Sequence, residues 1–195
     1  TKFAAEVLVR NTLDEVPTTI YRPAIVVGDS HTGETQKFDG PYYLLRTISR
    51  LRGRPLPQIG RGDAPFNVVP VDFVVDAMAA ARGDAGVIGR TLHLTDPDPM
   101  SSTQLMRLLA REYAGREPSY RIPPRVVEQS LRFRPVRSLL GGTPRQSIVY
   151  LNHPVSFDTA NADALRRRCG LDAPVFGDYV ANIVRFFKEN EATIA

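Results

Sequence analysis

The side chains able to do chemistry crowd around one stretch of this 195-residue chain, Thr19 to Ser30, which reads Thr-Ile-Tyr-Arg-Pro-Ala-Ile-Val-Val-Gly-Asp-Ser. Asp29, Ser30 and the following His31 are the residue types of a nucleophilic relay, in which a carboxylate orients an imidazole that takes a proton from a hydroxyl. Three consecutive residues on a loop point their side chains apart, so hydrolysis by such a triad is set aside. His31, His93 and His153 are scattered, and neither His-Glu-x-x-His nor a paired-cysteine motif occurs, so no metal site is expected. Phe38, Tyr42 and Tyr43 follow the loop and either line a substrate pocket or pack a helix on a sheet. Arg132, Arg134 and Arg137 either grip an anion, such as the phosphopantetheine of coenzyme A or a carrier protein, or form a solvated face. Arg61-Gly62-Asp63 is explained by turn chemistry.

The elements that must position these groups follow from periodicity. Thr1 to Arg10 is helical from its first residue, with Phe3, Ala4, Val7 and Leu8 on one stripe and no capping group before it; the molecule is expected to begin upstream. Thr18 to Val27 is an apolar strand interrupted by Pro23 and stopped by Gly28-Asp29, the pattern of a buried strand that delivers a loop at its carboxyl end. Asp29 to Gly40 is a long polar loop, and long loops in compact domains are often functional. Pro41 opens a helix carrying Leu44, Leu45, Ile48 and Leu51. Leu56 to Ile59 and Phe66 to Val71 read as strands, and Asp72 as the N-cap of a helix with Val74, Val75, Met78 and Ala81 inward. Thr91 to Leu94 is a strand, and Ser101 with Gln104 a capping box. Beyond it the pattern is mostly helical: Pro123 to Leu140 interrupted near Pro135, a turn or two over Pro144 to Leu151, a helix capped by Asp158, and Val175 to Asn190.

Strands alternate with helices in the first half and helices dominate the second. The fold expected is α/β, the C-terminal part of a Rossmann-type doubly wound parallel sheet followed by a mostly helical cap, with residues 1–95 in the first part, an insertion near 29–65, and 96–195 in the second. A strand, G-x-G-x-x-G and helix in succession is absent; Gly60-Arg61-Gly62 precedes a strand and lacks the third glycine. The chain is 43% hydrophobic and 24% charged, with 25 Lys and Arg against 21 Asp and Glu, as in a soluble globular protein of mild positive charge. The arginine groups lack the aromatic platforms or recognition motif of a nucleic-acid binder. No apolar run approaches a membrane span, and the lone Cys169 suits a reducing cytoplasm.

Four segments in order resemble the C-terminal part of an extended short-chain dehydrogenase/reductase, the epimerase, dehydratase and thioester-reductase-like group. Thr1-Lys2-Phe3-Ala4-Ala5-Glu6 is similar to the end of the Tyr-x-x-x-Lys motif. Tyr21-Arg22-Pro23-Ala24-Ile25-Val26-Val27-Gly28 resembles the family's Arg-Pro segment. Val69-Pro70-Val71-Asp72-Phe73-Val74-Val75-Asp76-Ala77 resembles its Val-Asp-x-Val-x-x-Ala helix start, and Thr91-Leu92-His93-Leu94-Thr95 its late sheet strand.

The resemblance implies a catalytic tyrosine two positions before Thr1, and Lys2 as the partner that lowers its pKa and holds the nicotinamide ribose. Pro23, Ala24, Ile25 and Val26 would face the nicotinamide, and Ser30, Tyr42 and Tyr43 the substrate. The cofactor implied is NAD or NADP, NADP for a reductase, with the residue that selects between them upstream. The loop wording Gly28-Asp29-Ser30-His31-Thr32-Gly33-Glu34 is nearer the thioester-reductase-like branch, which implies a small-molecule or carrier-bound acyl substrate. The alternatives are a nucleotide-sugar epimerase or dehydratase and a non-catalytic binding module. The missing N-terminal cofactor-binding half and a homodimer complete the partners implied, and this chain alone is expected to be inactive.

Overall fold

The computed structural model describes residues 1–51, 53–59, 62–130, 132, 133, 135, 136 and 155–193. In chain order the elements are α1 (Lys2–Arg10), β1 (Ile20–Pro23), β2 (Ile25–Val27), α2 (Tyr42–Arg50), β3 (Pro57–Ile59), β4 (Val68–Pro70) and α3 (Val71–Ala81). Then come β5 (Thr91–Leu94), α4 (Ser102–Ala114), β6 (Tyr120–Ile122), α5 (Pro124–Ser130), α6 (Ala160–Cys169) and α7 (Phe176–Asn190). The expected segment Pro144 to Leu151 lies outside the described residues, as do Arg134, Arg137 and His153.

The architecture is α/β and each strand pair is parallel: β1 with β5, β2 with β4, β3 with β6. Parallel neighbours cannot be joined by a tight turn, so helices and long connections carry the chain from one strand to its partner.

The single strand expected from Thr18 to Val27 divides at Ala24. Its first half lies along β5, with Ile20 opposite Thr91, and its second along β4, with Ile25 opposite Val68. The change of partner takes one residue: Ala24 N–H donates to Leu94 O at 3.0 Å, and Ile25 N–H donates to Asn67 O at 3.3 Å. The Asn67 side chain joins the two partners. Its Nδ2 donates to Asp96 O at 2.7 Å and its Oδ1 accepts from Asp96 N–H at 2.9 Å. A side-chain amide thus serves as an extra peptide unit between the end of β5 and the start of β4, satisfying groups that partial burial would otherwise leave at a cost.

Two helix starts differ in an instructive way. Ser101 and Gln104 form the expected capping box, with Ser101 Oγ accepting from Gln104 N–H at 3.2 Å and Gln104 Oε1 from Ser101 N–H at 2.8 Å. Asp72, expected as an N-cap, is instead the second residue of α3; Pro70 is the N-cap, with φ −76° and ψ 153°. Proline's fixed φ favours that extended position and offers no side-chain acceptor, which leaves the Asp72 carboxylate for another partner.

Two apolar cores result. One joins α2, α4 and α7 through Leu45, Ile48, Leu105, Leu109, Ile183 and Phe187. The other sets α3 and α6 on β5, with Phe73, Leu92, Leu94 and Leu165 buried together. Helix α1 joins neither; none of its residues is buried, and Phe3 and Leu8 are 81% and 68% exposed.

Candidate functional site

Lys2 stands at the rim of a cleft of about 920 Å³ whose lining includes Ile25, Val26, Val27, Asp29, Glu34, Lys37, Asp39 and Val71. The elements that make it are α1, the carboxyl end of β2, the loop after β2 and the first residue of α3. Ile25 N–H bonds to the β4 side. Alternation along a parallel ladder then turns the Val26 N–H and C=O away from β4. Val26 is 38% exposed and lines the cleft, so this stretch of backbone is available to a ligand.

What holds α1 there is electrostatic rather than apolar. Glu6 accepts from Arg22 twice, Nη2 to Oε1 at 2.6 Å and Nε to Oε2 at 3.0 Å, and from Arg10 Nε at 2.9 Å. Arg10 also donates from Nη2 to Thr91 Oγ1 at 2.8 Å. The paired geometry is the strong form of an arginine–carboxylate contact. Arg22, aided by Arg10, holds the Glu6 carboxyl below the usual range. The sign is that of a depressed acid: the anchor is complete above the ordinary glutamate pKa and is lost as pH falls through the lower folded value. The protection factors of the α1 amides, taken relative to intrinsic exchange at each pH, are therefore expected to fall in acid before those of α4 or α7, and Glu6→Gln should lower them in the same way at neutral pH. Equal protection of α1 in both proteins would remove this network from the account.

On its far side Arg22 reaches β5. Its Nη1 lies 3.3 Å from His93 Nε2, and His93 Nδ1 lies 2.8 Å from Asp158 O. A guanidinium only donates and a carbonyl only accepts, so both contacts are met by the ring protonated at Nδ1 alone. The His93 ring also faces Phe157, with centroids 5.7 Å apart.

The loop after β2 is a locked turn rather than an open one. Asp29 Oδ1 accepts from His31 N–H at 2.9 Å and from Thr32 N–H at 2.8 Å, and these bonds, Thr32 first, lower its pKa. Ser30, proposed for substrate, gives both its groups to Asp72: N–H to Oδ1 at 2.8 Å and Oγ to Oδ2 at 2.6 Å. Asn182 of α7 donates to Ser30 O at 2.8 Å. Gly33 lies against the same helix with φ +79°, where a Cβ would come within 2.2 Å of Asn182 O and 2.8 Å of Phe186 Cβ.

Gly33→Ala should therefore cost about 1–3 kcal/mol, the order of a strained left-handed residue with added clash. Gly53→Ala is the matched control, because Gly53 has φ +73° with nothing within 4 Å of its Cβ position. Urea unfolding of both variants isolates the clash; equal losses would mean that the contact with α7 contributes nothing.

The other expected site residues divide. Pro23, Ala24 and Ile25 line a second cleft of about 490 Å³ with Pro65, Phe66, Asn67, Val155 and Phe157, and Ile25 lines both clefts. Tyr42 is buried, and its hydroxyl accepts from Gly28 N–H at 3.0 Å; burial raises its pKa. Tyr43 is half-buried beside Arg46, whose guanidinium lies 5.7 Å from the ring centroid. Neither tyrosine nor Ser30 lines these two clefts.

Sequence reasoning missed Glu6, Asn67 and Phe157, and took Asp72 for a cap. Glu6 had a signal, its place one helical turn after Lys2. Asn67 and Phe157 had none, because their partners are set by tertiary structure. Among the described residues, no helix is long and apolar enough to cross a membrane.

Comparison with known proteins gives three kinds of likeness. Residues 1–78 match the model of the Male sterility protein family, an NAD-binding family. The nonribosomal peptide synthetase FrzA of Cladobotryum sp is 28% identical over 188 residues, which cover 89% of this chain and 18% of that protein. The terminal R domain from the myxalamid PKS-NRPS biosynthetic pathway is 21% identical, with a TM-score of 0.72 over 100% of this chain and 49% of its own. UDP-glucose 4-epimerase of Thermotoga maritima, solved with UDP-glucose, is 20% identical, with a TM-score of 0.58 over 97% of this chain and 52% of its own. The chain thus spans about half the length of the solved structures it resembles.

Proposed function

From its likeness to the extended short-chain dehydrogenases/reductases, on their thioester-reductase-like side, we propose that the whole protein is an NAD(P)-dependent reductase of a carrier-bound acyl thioester. The observation that carries the reading is the meeting of Lys2 with Ile25 and Val26 in one cleft. A cation, an apolar wall and outward-turned backbone groups in a space of this size suit a nicotinamide and its ribose. The cofactor supplies the hydride when bound.

The chain's own part is to hold and polarise. Lys2 Nζ carries the charge that favours an ionised phenol and offers donors to ribose hydroxyls. Val26 N–H and C=O are suited to a carboxamide, and Val26 and Val71 give apolar surface to a ring. In the Tyr-x-x-x-Lys motif that Thr1 to Glu6 resembles, the proton is exchanged by a tyrosine one helical turn before the lysine, the group that Lys2 would serve.

The acyl reading is preferred over the nucleotide-sugar reading because the chain is similar to a nonribosomal peptide synthetase and to the terminal R domain of a PKS-NRPS pathway. The test is NADPH absorbance with full-length protein, offered octanoyl-pantetheine thioester and, separately, UDP-glucose under both cofactors. Oxidation of NADPH with the thioester alone is expected. Turnover of the nucleotide sugar alone would replace the reading with that of an epimerase.

A further inference from the structure

More than half of the residues that line the Lys2 cleft, among them Asp29, Thr32, Glu34 and Lys37, belong to the connection from β2 to α2. The residues of that connection are all described and form neither helix nor strand, so no ladder fixes where this wall stands. A wall made of loop is only as precise as the bonds that support it. Some of those bonds close the turn on itself: Asp29 N–H donates to Glu34 O at 3.0 Å, and Gly33 N–H to Asp29 O at 2.8 Å. They give the turn its shape but not its place. The ends of the connection are pinned by Gly28 N–H on the Tyr42 hydroxyl and by the Phe38 ring against Phe187.

Between those ends the turn leans on α7 at Gly33 and is tied outward mainly through Ser30; the bond from Arg185 Nη2 to Thr32 O is a long one, 3.4 Å. Ser30 meets two helices. Its N–H and Oγ donate to the Asp72 carboxylate at 2.8 and 2.6 Å, and its C=O accepts from Asn182 Nδ2 at 2.8 Å. Bonds to a carboxylate are the stronger kind, and Asn182 must present its NH2 because a carbonyl only accepts. Asp72 follows Val71, which itself lines the cleft. One carboxylate therefore bolts the loop wall to the start of α3, and its two bonds set the gap between the loop and Val71. Asp72 and Ser30 are both half-buried and belong to neither apolar core, so the cleft depends on them more than the fold does.

We propose that Asp72 is a positioning residue: acting through Ser30, with Asn182 holding the Ser30 carbonyl, it sets the width of the Lys2 cleft and so the affinity for the nicotinamide end of the cofactor. The ligand is that of the reductase reading, on which this role rests, but the quantity measured is cofactor affinity and not turnover.

Fluorescence titration of the full-length protein with NADPH, and separately with NADH, is the measurement. Asp72→Ala is expected to weaken binding of the preferred cofactor about 10-fold or more, the scale of one lost hydrogen bond to a charged group. Asp72→Asn should bring it back to within about threefold of the parent, because an amide oxygen accepts from Ser30 N–H and an amide N–H donates to Ser30 Oγ. Adding Ser30→Ala to Asp72→Ala should cost nothing more, since both act through one contact. Circular dichroism should show Asp72→Ala folded at the titration temperature, which makes the loss one of fit. If it does not fold, Ser30→Ala carries the test: it removes only the hydroxyl, keeps the N–H bond, and should lose about threefold or more. Affinity unchanged within twofold in the variant that carries the test, an Asp72→Asn protein no better than Asp72→Ala, or additive losses in the double variant would each overturn the role. If neither cofactor binds the parent, the role falls together with the reductase reading. If the variants behave as expected but the thioester is not reduced, the role stands and the reductase reading falls. If reduction proceeds and the variants bind cofactor as the parent does, the reverse holds.

Discussion

Lys2→Met in the full-length protein is expected to slow NADPH-dependent thioester reduction by about 10²–10⁴-fold, the usual contribution of a positioned proton-transfer group and its support. At about 1.4 kcal/mol per decade this is roughly 3–5 kcal/mol of transition-state stabilisation. The argument is that a methionine of similar length keeps the packing of α1 but removes the charge at the rim of the cleft. The loss should appear mainly in kcat if Lys2 acts on the proton donor, and in KM for the cofactor if it only holds the ribose. Since no α1 residue is buried, the variant should fold normally. Lys188→Met is the control: Lys188 lies over the Tyr113 ring at 5.0 Å and lines neither cleft, and its loss should leave the rate within twofold. A Lys2→Met enzyme as active as its parent would leave the cleft without its proposed catalytic group.

The second large effect is structural. Phe187 is 0% exposed and its ring centroid lies 6.1 Å from Phe38, 6.3 Å from Tyr42 and 6.1 Å from Tyr113. It therefore ties α7 to α2, to α4 and to the loop before α2. Truncation to alanine should cost about 3–5 kcal/mol, the transfer term plus the cavity left behind. Phe3→Ala removes the same atoms from a side chain 81% exposed and should cost almost nothing, which makes the pair a direct measure of burial. Guanidinium unfolding monitored by circular dichroism reads both. If Phe187→Ala unfolds within 1 kcal/mol of the parent, the helical core is not organised around that ring, and the Tyr42 hydroxyl that receives Gly28 N–H loses its rationale.

The elements legible in the sequence were those whose cause is local. The capping box of Ser101 and Gln104, the amphipathic runs of α2 and α7, and the β5 strand Thr91–Leu94 each follow from a period or a cap. Where tertiary partners decide, local reading went astray. Ala24 carries no mark that the strand changes neighbours there, because the change is made by Leu94 and Asn67. Asp72 had the composition of a cap and the position of a loop tether, and its distance from Ser30 along the chain hid the second role. Lys2 and Val26 share a cleft that no periodicity announces; they were named through a family resemblance, and the packing of α1 through Glu6 and Arg22 brings them together.

The change of partner at Ala24 also bears on how the chain reaches this structure. Neither half of the stretch from Ile20 to Val27 has a neighbour nearby in sequence: Ile20 must wait for Thr91, and Ile25 for Val68. The third pair is no closer, since Pro57 meets Tyr120. With every strand pair among the described residues made of distant segments, ordering entropy is lost before contacts repay it, and acquisition of the native sheet should be slow beside that of an all-helical chain of this size. During synthesis the apolar run Ile25-Val26-Val27 emerges well before its neighbour β4. It is the segment on which a chaperone or a misplaced strand would first have time to act.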